Sequence, residues 1–441
     1  LVGRRCQGRR RVICGDARRL CSSSAILSFG SATEDLRRRT TFAVLRRFGL
    51  PDHFINLVIR LHKDAKVKVK IGEVDYTIDS SIGVRQGSCE EPVLFLFIMQ
   101  AAMETLVWPT GVEKPQFRTR QDGKTMGEKW DRKRGASTFE LWASLFADDC
   151  AVIFNSREEL VLGTQHLYTH MRKFGLEMHV GRGDTASKTE AMFCPKPRKP
   201  YEAENTGRFN LDGDGFIDFT KEFKYLGSLI TSSLTSDADV EKRIKAASAI
   251  FGAMNKCVFS RKDIQPKIKG QVYNALVLSI LLYGSECWAL REDLFKRLRS
   301  FHNQCVRTMC RVTMAHTIRC RIRTTSLLKR LGILPIDDYY HHRLLRWAGH
   351  VARMDMSRTP RKLITGWVEN PRPRGCPYMT WGRTLKKALK RYRLSTDFSE
   401  WSKIAQDRRN WRAVFILGPN TENDEHIPTA RDERAARRNQ T

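Results

Sequence analysis

The clearest hydrophobic pattern in the chain is a pair of short apolar runs separated by a brief polar break. The runs Leu141–Leu145 and Ala151–Phe154 flank the stretch Phe146–Asp149. Apolar runs on either side of so short a break predict a strand, a tight turn and a returning strand. The adjacent carboxylates of Asp148 and Asp149 are therefore predicted to lie at the tip of a hairpin.

Helical periodicity is found on both sides of this hairpin. The stretch Glu158–Phe174 is predicted to be a helix whose packing face consists of Leu160, Leu162, Leu167 and Met171. A further helix, capped by Ser236, has apolar residues from Val240 to Met254 at three- and four-residue steps, with Lys242, Arg243 and Lys245 predicted to face outward. The predicted helices ahead of it are Thr41–Leu50, Phe54–His62, Pro92–Leu106 and Glu158–Phe174.

Two other stretches are predicted to be strands, and a third is predicted to be a loop. Val67, Val69 and Ile71 alternate with three lysines, which predicts a half-buried strand with a basic face. A lysine-rich face of this kind can simply be solvated. The stretch Phe223–Ile230 is also predicted to be a strand, and the polar stretch from Trp108 to Thr138 is predicted to be an exposed loop.

The balance of charges narrows the class of partner. The 441 residues include 78 Lys and Arg against 48 Asp and Glu, a formal net charge of +30 with a pI of about 10.0. A surface this basic favours polyanions, because each phosphate that it neutralises releases condensed counterions. We therefore expect the chain to bind nucleic acid with little sequence preference and with an affinity that falls steeply as salt rises.

Cysteine usage and the lengths of the apolar runs bear on location. The 12 cysteines follow no regular framework, which is typical of a reducing compartment rather than of a secreted protein. The longest apolar runs, Val93–Met99 and Ala275–Tyr283, are far shorter than the roughly 20 residues that span a bilayer. No signal peptide is recognisable, so we expect a nuclear or cytoplasmic protein with no membrane partner.

Several motifs follow one another in a fixed order along the first half of the chain. They are Gly83–Gly87 ahead of the apolar run Pro92–Leu106, the Asp148-Asp149 hairpin, Gly175-Leu176, Ser187–Glu190 and Phe223–Gly227. In this order and at these spacings they resemble the palm of reverse transcriptases from non-LTR (LINE-like) retrotransposons. The resemblance covers residues 27–230, and residues 236–415 are similar to the thumb and basic C-terminal region of the same elements.

The resemblance implies an α+β fold. The expected architecture is a right-hand polymerase palm, an antiparallel sheet backed by helices, followed by an α-helical thumb and a basic C-terminal region. The expected segments are 27–235 for the palm with partial fingers, 236–350 for the thumb and 351–417 for the basic aromatic region, with a poorly ordered remnant at 1–26 and a disordered tail at 418–441. The implied activity is RNA-directed DNA polymerase, with an RNA template, a DNA primer and deoxynucleoside triphosphates as partners.

Chemistry at the hairpin tip is also implied by the resemblance. Asp148 and Asp149 would hold Mg²⁺ or Mn²⁺, since adjacent carboxylates repel each other unless a hard cation lies between them. Lys188 would be a catalytic residue that reaches the leaving pyrophosphate, with a plain surface lysine as the alternative. Without the resemblance, an Asp-Asp pair in a turn is most often solvated.

The resemblance implies template contact for the lysine face of the strand Val67–Ile71, with a solvated face as the equally favoured alternative. Template and primer contacts are also implied at two further motifs. In the first motif, Arg85–Gly87, the small residue would let the backbone approach the templating base and the incoming nucleotide. The second motif, Tyr225–Gly227, would grip the primer terminus. The residues concerned are Arg85, Gln86 and Gly87 in the first motif, and Tyr225, Leu226 and Gly227 in the second.

Two positions depart from the family's pattern. A strand that ends in Asp, with an aromatic residue five positions later, is expected before the first helix, and the register puts Ser28 and Thr33 there. Two-metal phosphoryl transfer needs carboxylates from both strands, and a serine hydroxyl is a poor substitute. Asp16 and Asp35 are the nearest replacements, and the start of the chain is expected to be truncated or scrambled. The alternative function is therefore a catalytically inactive nucleic-acid-binding relic of the same fold.

Two other clusters imitate metal sites. Residues 210–217 resemble part of a calcium loop, but Lys221 replaces its bidentate Glu, so a β-turn feeding a hairpin is the preferred interpretation. A packed helix stripe of Phe301, Cys305, Val306 and Met309 explains Cys305 better than zinc does. In the C-terminal part, Trp401 and Trp411 are predicted to be core residues. The candidate zinc ligands, whose spacings match no common knuckle, are Cys305, Cys310, His316 and Cys320.

Overall fold

A computed structural model of the protein describes residues 22–28, 38–63, 66–79, 90–120, 136–147, 149–194, 207–211, 213, 215–367 and 379–416. Within them helices and strands are mixed, consistent with the predicted α+β class. The chain divides into two compact units, the first including residues 136–245 and the second including residues 246–366. Several predicted residues lie outside the described ranges: Asp16, Thr33, Asp35, Arg85, Gln86, Gly87 and Asp148.

The strands are short and form small sheets. In chain order they are β1 (Ser22–Ser28), β2 (Lys66–Ile71), β3 (Val74–Asp79), β4 (Gln116–Arg120), β5 (Ala136–Glu140), β6 (Ala143–Phe146), β7 (Asp149–Phe154), β8 (Glu190–Cys194), β9 (Arg208–Asn210), β10 (Phe216–Phe219), β11 (Glu222–Tyr225), β12 (Ser228–Thr231) and β13 (Gly366–Trp367). The largest sheet has the order β6-β7-β1-β8-β10-β9. Its neighbours pair antiparallel, as in the predicted sheet, except β8 and β10, which run parallel.

The helices are concentrated in the second unit. They are α1 (Arg38–Arg47), α2 (Asp52–His62), α3 (Glu91–Glu104), α4 (Arg157–Lys173), α5 (Asp237–Met254), α6 (Pro266–Val272), α7 (Ser279–Leu281), α8 (Glu292–Cys310), α9 (Met314–Arg319), α10 (Thr324–Leu331), α11 (Ile336–Ala352), α12 (Thr359–Ile364), α13 (Trp381–Arg391), α14 (Phe398–Gln406) and α15 (Arg408–Ile416). The two units divide between Lys245 and Ala246, inside α5. None of the described helices is both long and apolar enough to cross a membrane. The predicted boundaries at residues 235 and 350 stay predictions.

Both faces of the six-stranded sheet are covered. Successive residues of a strand point to opposite faces, and Cys150, Val152 and Phe154 of β7 pack in one core with α3 and α4. Ala151 packs on the opposite face with residues of β11 and β12. The strand β7 is therefore buried on both sides, and its first residue, Asp149, lies half-buried where the strand leaves the core.

Three predictions about the first unit are wrong in part. Val69 and Ile71 are 36% and 65% exposed. Among the described strands β2 and β3 pair only with each other, and a two-stranded hairpin buries little apolar surface by itself. Leu162 of α4 is 40% exposed, although the other three predicted packing residues are fully buried. The predicted loop contains β4, where Phe117 is buried and its ring stacks on Phe139 at 5.6 Å.

The second unit is a helical core with buried tryptophans. Cys305, Val306 and Met309 of α8 are buried and Phe301 is half-buried, which confirms the predicted stripe. Trp401 and Trp411 are 0% and 2% exposed and stack with ring centroids 5.7 Å apart, which confirms their prediction as core residues. The antiparallel pairing of β9 with β10 in the first unit likewise confirms the hairpin that was preferred over a calcium loop.

Candidate active site

The hairpin that carries the Asp-Asp pair has the predicted form. β6 and β7 pair from Ala143 opposite Val152 to Phe146 opposite Asp149, which leaves only two residues between the paired ends. Ala147 has a φ of 53°, a left-handed conformation that is uncommon for a residue with a side chain. Phe146 is 64% exposed, so the paired end of β6 is open to solvent. Asp148, the second residue of the tip, lies outside the described residues.

Ser28 is the Cα partner of Asp149. β1 pairs antiparallel with β7 along its whole length, from Ser23 opposite Phe154 to Ser28 opposite Asp149. Directly opposed Cα atoms in such a ladder are about 5 Å apart. The register predicted from the sequence is confirmed: the strand on which a first carboxylate was expected ends opposite the hairpin, and a serine occupies that position.

Lys188 lies two residues before β8. β1 pairs with β8 so that Ile26 is opposite Glu190, the first residue of β8, and Lys188 and Thr189 form a bend ahead of that strand. Lys188 is exposed, and its backbone N–H donates to Nδ1 of His179 at 3.2 Å.

The stretch predicted as one strand from Phe223 to Ile230 is instead a hairpin, β11–β12. Tyr225 pairs with Ser228, and the two residues between them, Leu226 and Gly227, have φ values of 47° and 81°. Positive φ at both central residues is typical of the tight two-residue turns that match the twist of antiparallel strands, and glycine adopts it without strain. Periodicity alone does not reveal this turn, because Leu226 looks apolar and strand-like.

Tyr225 lies on the sheet face from which Asp149 projects. Its ring is buried with Ala151, and its hydroxyl donates to the carbonyl oxygen of Ser144 at 3.4 Å. Burial raises the pKa of Tyr225, the hydrogen bond to Ser144 lowers it, and the charges of Cys150 and Asp149 raise it further. The predicted primer-gripping hairpin and the predicted metal-binding hairpin are therefore neighbours on one face of the sheet.

Helix α5 holds the turn of the β11–β12 hairpin. Asp239 is 2% exposed, and its Oδ1 accepts the backbone N–H of Leu229 at 2.9 Å. Arg243 Nε is 3.8 Å from the same oxygen, and its Nη2 donates to the carbonyl oxygen of Gly227 at 2.5 Å. The Nζ of Lys242 is 3.4 Å from that carbonyl. We call Asp239, Lys242 and Arg243 the clasp.

The clasp corrects one prediction. Arg243 was expected on an outward, cationic face of the helix, but its side chain is only 12% exposed and is bound to the hairpin turn. No role is predicted for Asp239 from the sequence. The spacing of Asp239 and Arg243 by four residues is the signal in the sequence that could have identified an ion pair on one helix face.

Sequence reasoning gave no role to two acidic residues on the sheet, Glu190 and Asp218. They are Cα partners in the parallel pair β8–β10. Burial raises the pKa of the Glu190 carboxyl, and the nearby Asp218 raises it further. Asp218 is 3.3 Å from Nε of Arg208. The two carboxylates belong to strands on the far side of β1 from Asp149.

Comparisons with known proteins point to mobile elements. No protein family model matches the chain. The chain is 28% identical over 273 residues to an uncharacterized transposon-derived protein of Caenorhabditis elegans, a match that covers 61% of this chain and 93% of that protein. It is 25% identical over 213 residues to a retrovirus-related Pol polyprotein from a type-1 retrotransposable element R2 of Nasonia vitripennis, a match that covers 47% of this chain and 18% of the polyprotein. The protein is therefore retrotransposon-related.

Proposed function

We propose that this chain contains the RNA-directed DNA polymerase (reverse transcriptase) domain of a non-LTR retrotransposon, which transfers a nucleotide to a primer 3′-hydroxyl. The observation that carries the proposal is the pairing of Ser28 with Asp149 at the end of β1. A polymerase of this kind holds its metal ions with acidic residues carried on two adjacent strand ends. The similarity to a Pol polyprotein of a retrotransposon gives independent support.

The donor set suits one hard cation better than two. Asp148 and Asp149 would hold Mg²⁺ or Mn²⁺ through carboxylate oxygens, which hard cations prefer. The strand position opposite Asp149 is Ser28, and the described residues contain no group of three or more His, Cys, Asp or Glu arranged to hold a metal ion. When bound, the metal supplies charge neutralisation for the triphosphate. A second ion would lack the carboxylate that β1 should provide.

The other residues of the site act by position and charge. The β11–β12 hairpin would hold the primer end beside Asp149, with Tyr225, Leu226 and Gly227 in contact with it. The primer hydroxyl would attack the α-phosphorus of the bound nucleotide, the bond to the leaving pyrophosphate would break, and Lys188 would neutralise that leaving group. Arg85, Gln86 and Gly87 would contact the template and the incoming deoxynucleoside triphosphate.

A second candidate function is an inactive nucleic-acid-binding relic of the same fold. The observation that favours it is the serine at position 28, since removing one carboxylate from a two-ion site removes most of its charge stabilisation. The net charge of +30 supports nucleic-acid binding under either function. The two candidates differ in whether the chain extends a primer.

Restoring the missing carboxylate tests both candidates. The double variant Ser28→Asp/Thr33→Phe should extend a labelled DNA primer on an RNA template faster than the unmodified chain in Mg²⁺, because position 28 is opposite Asp149. The isosteric Ser28→Asn/Thr33→Phe variant is the control and should show no gain. Adding Asp148→Ala to the restored variant should lower its rate at least about a hundredfold.

Metal binding separates the possible results. Mn²⁺ titration should give tighter binding for the Ser28→Asp variant than for the Ser28→Asn variant, whether or not the chain extends primers. Equal Mn²⁺ affinities would remove position 28 from the metal site. If the unmodified chain extends primers and Asp148→Ala does so equally well, Asp148 is not a metal ligand and the proposed mechanism is wrong.

A further inference from the structure

Arg353, in the second unit, lies near two other positively charged side chains. It follows α11 directly, its Nη1 donates to the carbonyl oxygen of Ala405 at 2.5 Å, and its buried Nε has no hydrogen-bond partner. Burial lowers the pKa of Arg353, and the charges of Arg408 and Arg412 lower it further. Within the described residues no carboxylate forms an ion pair with these three arginines. Partly buried cations normally have an anionic partner.

The first turn of α15 carries positive charges, which the N-terminus of a helix disfavours. The N-terminus of a helix is partially positive, so Arg408 and Arg409 in its first turn oppose the helix dipole. Arg408 and Arg412 are also like charges four residues apart, which repel on one helix face. Asp407 caps the helix by accepting the backbone N–H groups of Arg409 at 2.7 Å and Asn410 at 3.3 Å. Such local conflicts are expected where a sequence serves function rather than stability.

A rigid support holds these arginines. Trp411 of α15 is 2% exposed, and its indole N–H donates to the carbonyl oxygen of Leu345 in α11 at 3.0 Å. Arg346 and His350, seven and three positions before Arg353, share its helix face. Both are exposed, and the ring centroids of His350 and Trp347 are 5.7 Å apart. We call the five residues of this surface the arginine ridge: Arg346, His350, Arg353, Arg408 and Arg412.

We propose that the arginine ridge binds the phosphodiester backbone of a nucleic-acid strand. Guanidinium groups fit phosphate oxygens through paired hydrogen bonds, and a bound phosphate would supply the anion that Arg353, Arg408 and Arg412 lack. Trp347 and His350 offer rings on which an unpaired base stacks. The choice of a nucleic acid as the partner rests on the proposed function, but the site is separate from the Asp149 hairpin in the chain and needs no catalysis.

The test removes two exposed charges from the ridge of the full chain. Arg408→Gln/Arg412→Gln should weaken binding of a labelled single-stranded RNA about tenfold and should reduce the slope of log affinity against log salt by about 1.4, since each phosphate contact to a single strand contributes about 0.7. Arg408→Lys/Arg412→Lys keeps the charges and should restore most of the slope. A DNA strand of the same sequence, run in parallel, measures whether the ridge distinguishes the two backbones.

A matched variant controls for total charge. Arg319→Gln/Arg323→Gln removes two exposed arginines elsewhere in the second unit and should change the slope by less than half as much. Equal losses from the two double variants would mean diffuse attraction and would overturn the ridge. Displacement of the RNA by polyglutamate as readily as by unlabelled RNA would also overturn it, in favour of an acidic protein partner. Primer extension is not measured, so failure of the polymerase proposal leaves these outcomes unchanged.

Discussion

At the scale of single residues, close approach decides what the sequence tolerates. Gly349 of α11 lies against Trp411, and a Cβ added there would be 2.2 Å from the indole nitrogen. Glycine in a helix interior is destabilising by up to about 1 kcal/mol relative to alanine, so its presence here reflects the space that the indole occupies. Gly252 of α5 is the opposite case, since an added Cβ would meet nothing within 4 Å.

Gly349→Ala should therefore destabilise the second unit while Gly252→Ala should not. We expect a loss of about 1–3 kcal/mol of unfolding free energy for Gly349→Ala, because forcing a methyl group into a packed core shifts Trp411 and strains its hydrogen bond. Gly252→Ala should gain up to about 1 kcal/mol from helix propensity. Urea unfolding followed by tryptophan fluorescence measures both. Equal stabilities of the two variants would show that α11 and α15 do not pack this closely.

At the scale of elements, two hairpins define the candidate site. The β6–β7 hairpin is fixed by β1, which pairs along the whole of β7. The β11–β12 hairpin is fixed by the clasp, whose Arg243 binds Gly227 in the turn and whose Asp239 binds Leu229 in the strand that follows it. Left-handed residues with side chains occur in both turns, Ala147 and Leu226. Such conformations persist only where surrounding contacts over-determine them.

Removing the carboxylate of the clasp should loosen the β11–β12 hairpin. Asp239→Ala leaves the Leu229 N–H without its acceptor and the Arg243 guanidinium without the carboxylate of its ion pair. We therefore expect a loss of about 3 kcal/mol of unfolding free energy. Asp239→Asn keeps an acceptor oxygen and should lose less. Hydrogen exchange at the Leu229 amide is the local measurement, and it should accelerate more in the alanine variant.

Glu241→Ala is the control for the clasp. Glu241 and Lys245 form an exposed pair on the same helix, 3.3 Å apart, and pairs of this kind contribute less than about 1 kcal/mol. Unchanged exchange at Leu229 in Asp239→Ala would mean that the hairpin holds its turn without α5, and the clasp would have no positioning role.

At the scale of the whole molecule, acid should affect the two units unequally. His302 and His341 are buried in the second unit, and burial lowers the pKa of each from 6.5 to about 4. In the unfolded chain both return to their ordinary pKa. Between these values the unfolded state binds more protons than the folded state, so the unfolding free energy falls as pH falls through that window.

We expect the second unit to lose roughly 2 kcal/mol for each of these histidines between about pH 7 and about pH 5. His341→Phe removes one titrating group, while the ring position 6.0 Å from Phe295 stays aromatic, so the loss should be smaller. Exposed His316 replaced by Gln is the control and should leave the loss unchanged. Urea unfolding with peptide-resolved hydrogen exchange separates the units, and identical pH profiles for His341→Phe and the unmodified chain would contradict the expectation.

The sequence by itself determined the features that depend on neighbours along the chain. The β6–β7 hairpin follows from two apolar runs around a short break, and the helices α4, α5 and α8 follow from apolar residues at three- and four-residue steps. The register that sets Ser28 opposite Asp149 was also predicted, but from resemblance rather than from periodicity. Pairing between strands more than 100 residues apart leaves no local pattern in the sequence.

Tertiary structure alone decided which apolar and charged residues face the core. Ile71 and Leu162 keep the correct spacing but are exposed, because burial requires a second element and spacing cannot say whether one is present. Arg243 has the spacing of a surface cation, yet the carbonyl of Gly227 turns it inward. A strand or helix period fixes only which residues share a face. Which of those faces meets another element depends on contacts between distant parts of the chain, and these are formed only in the folded protein.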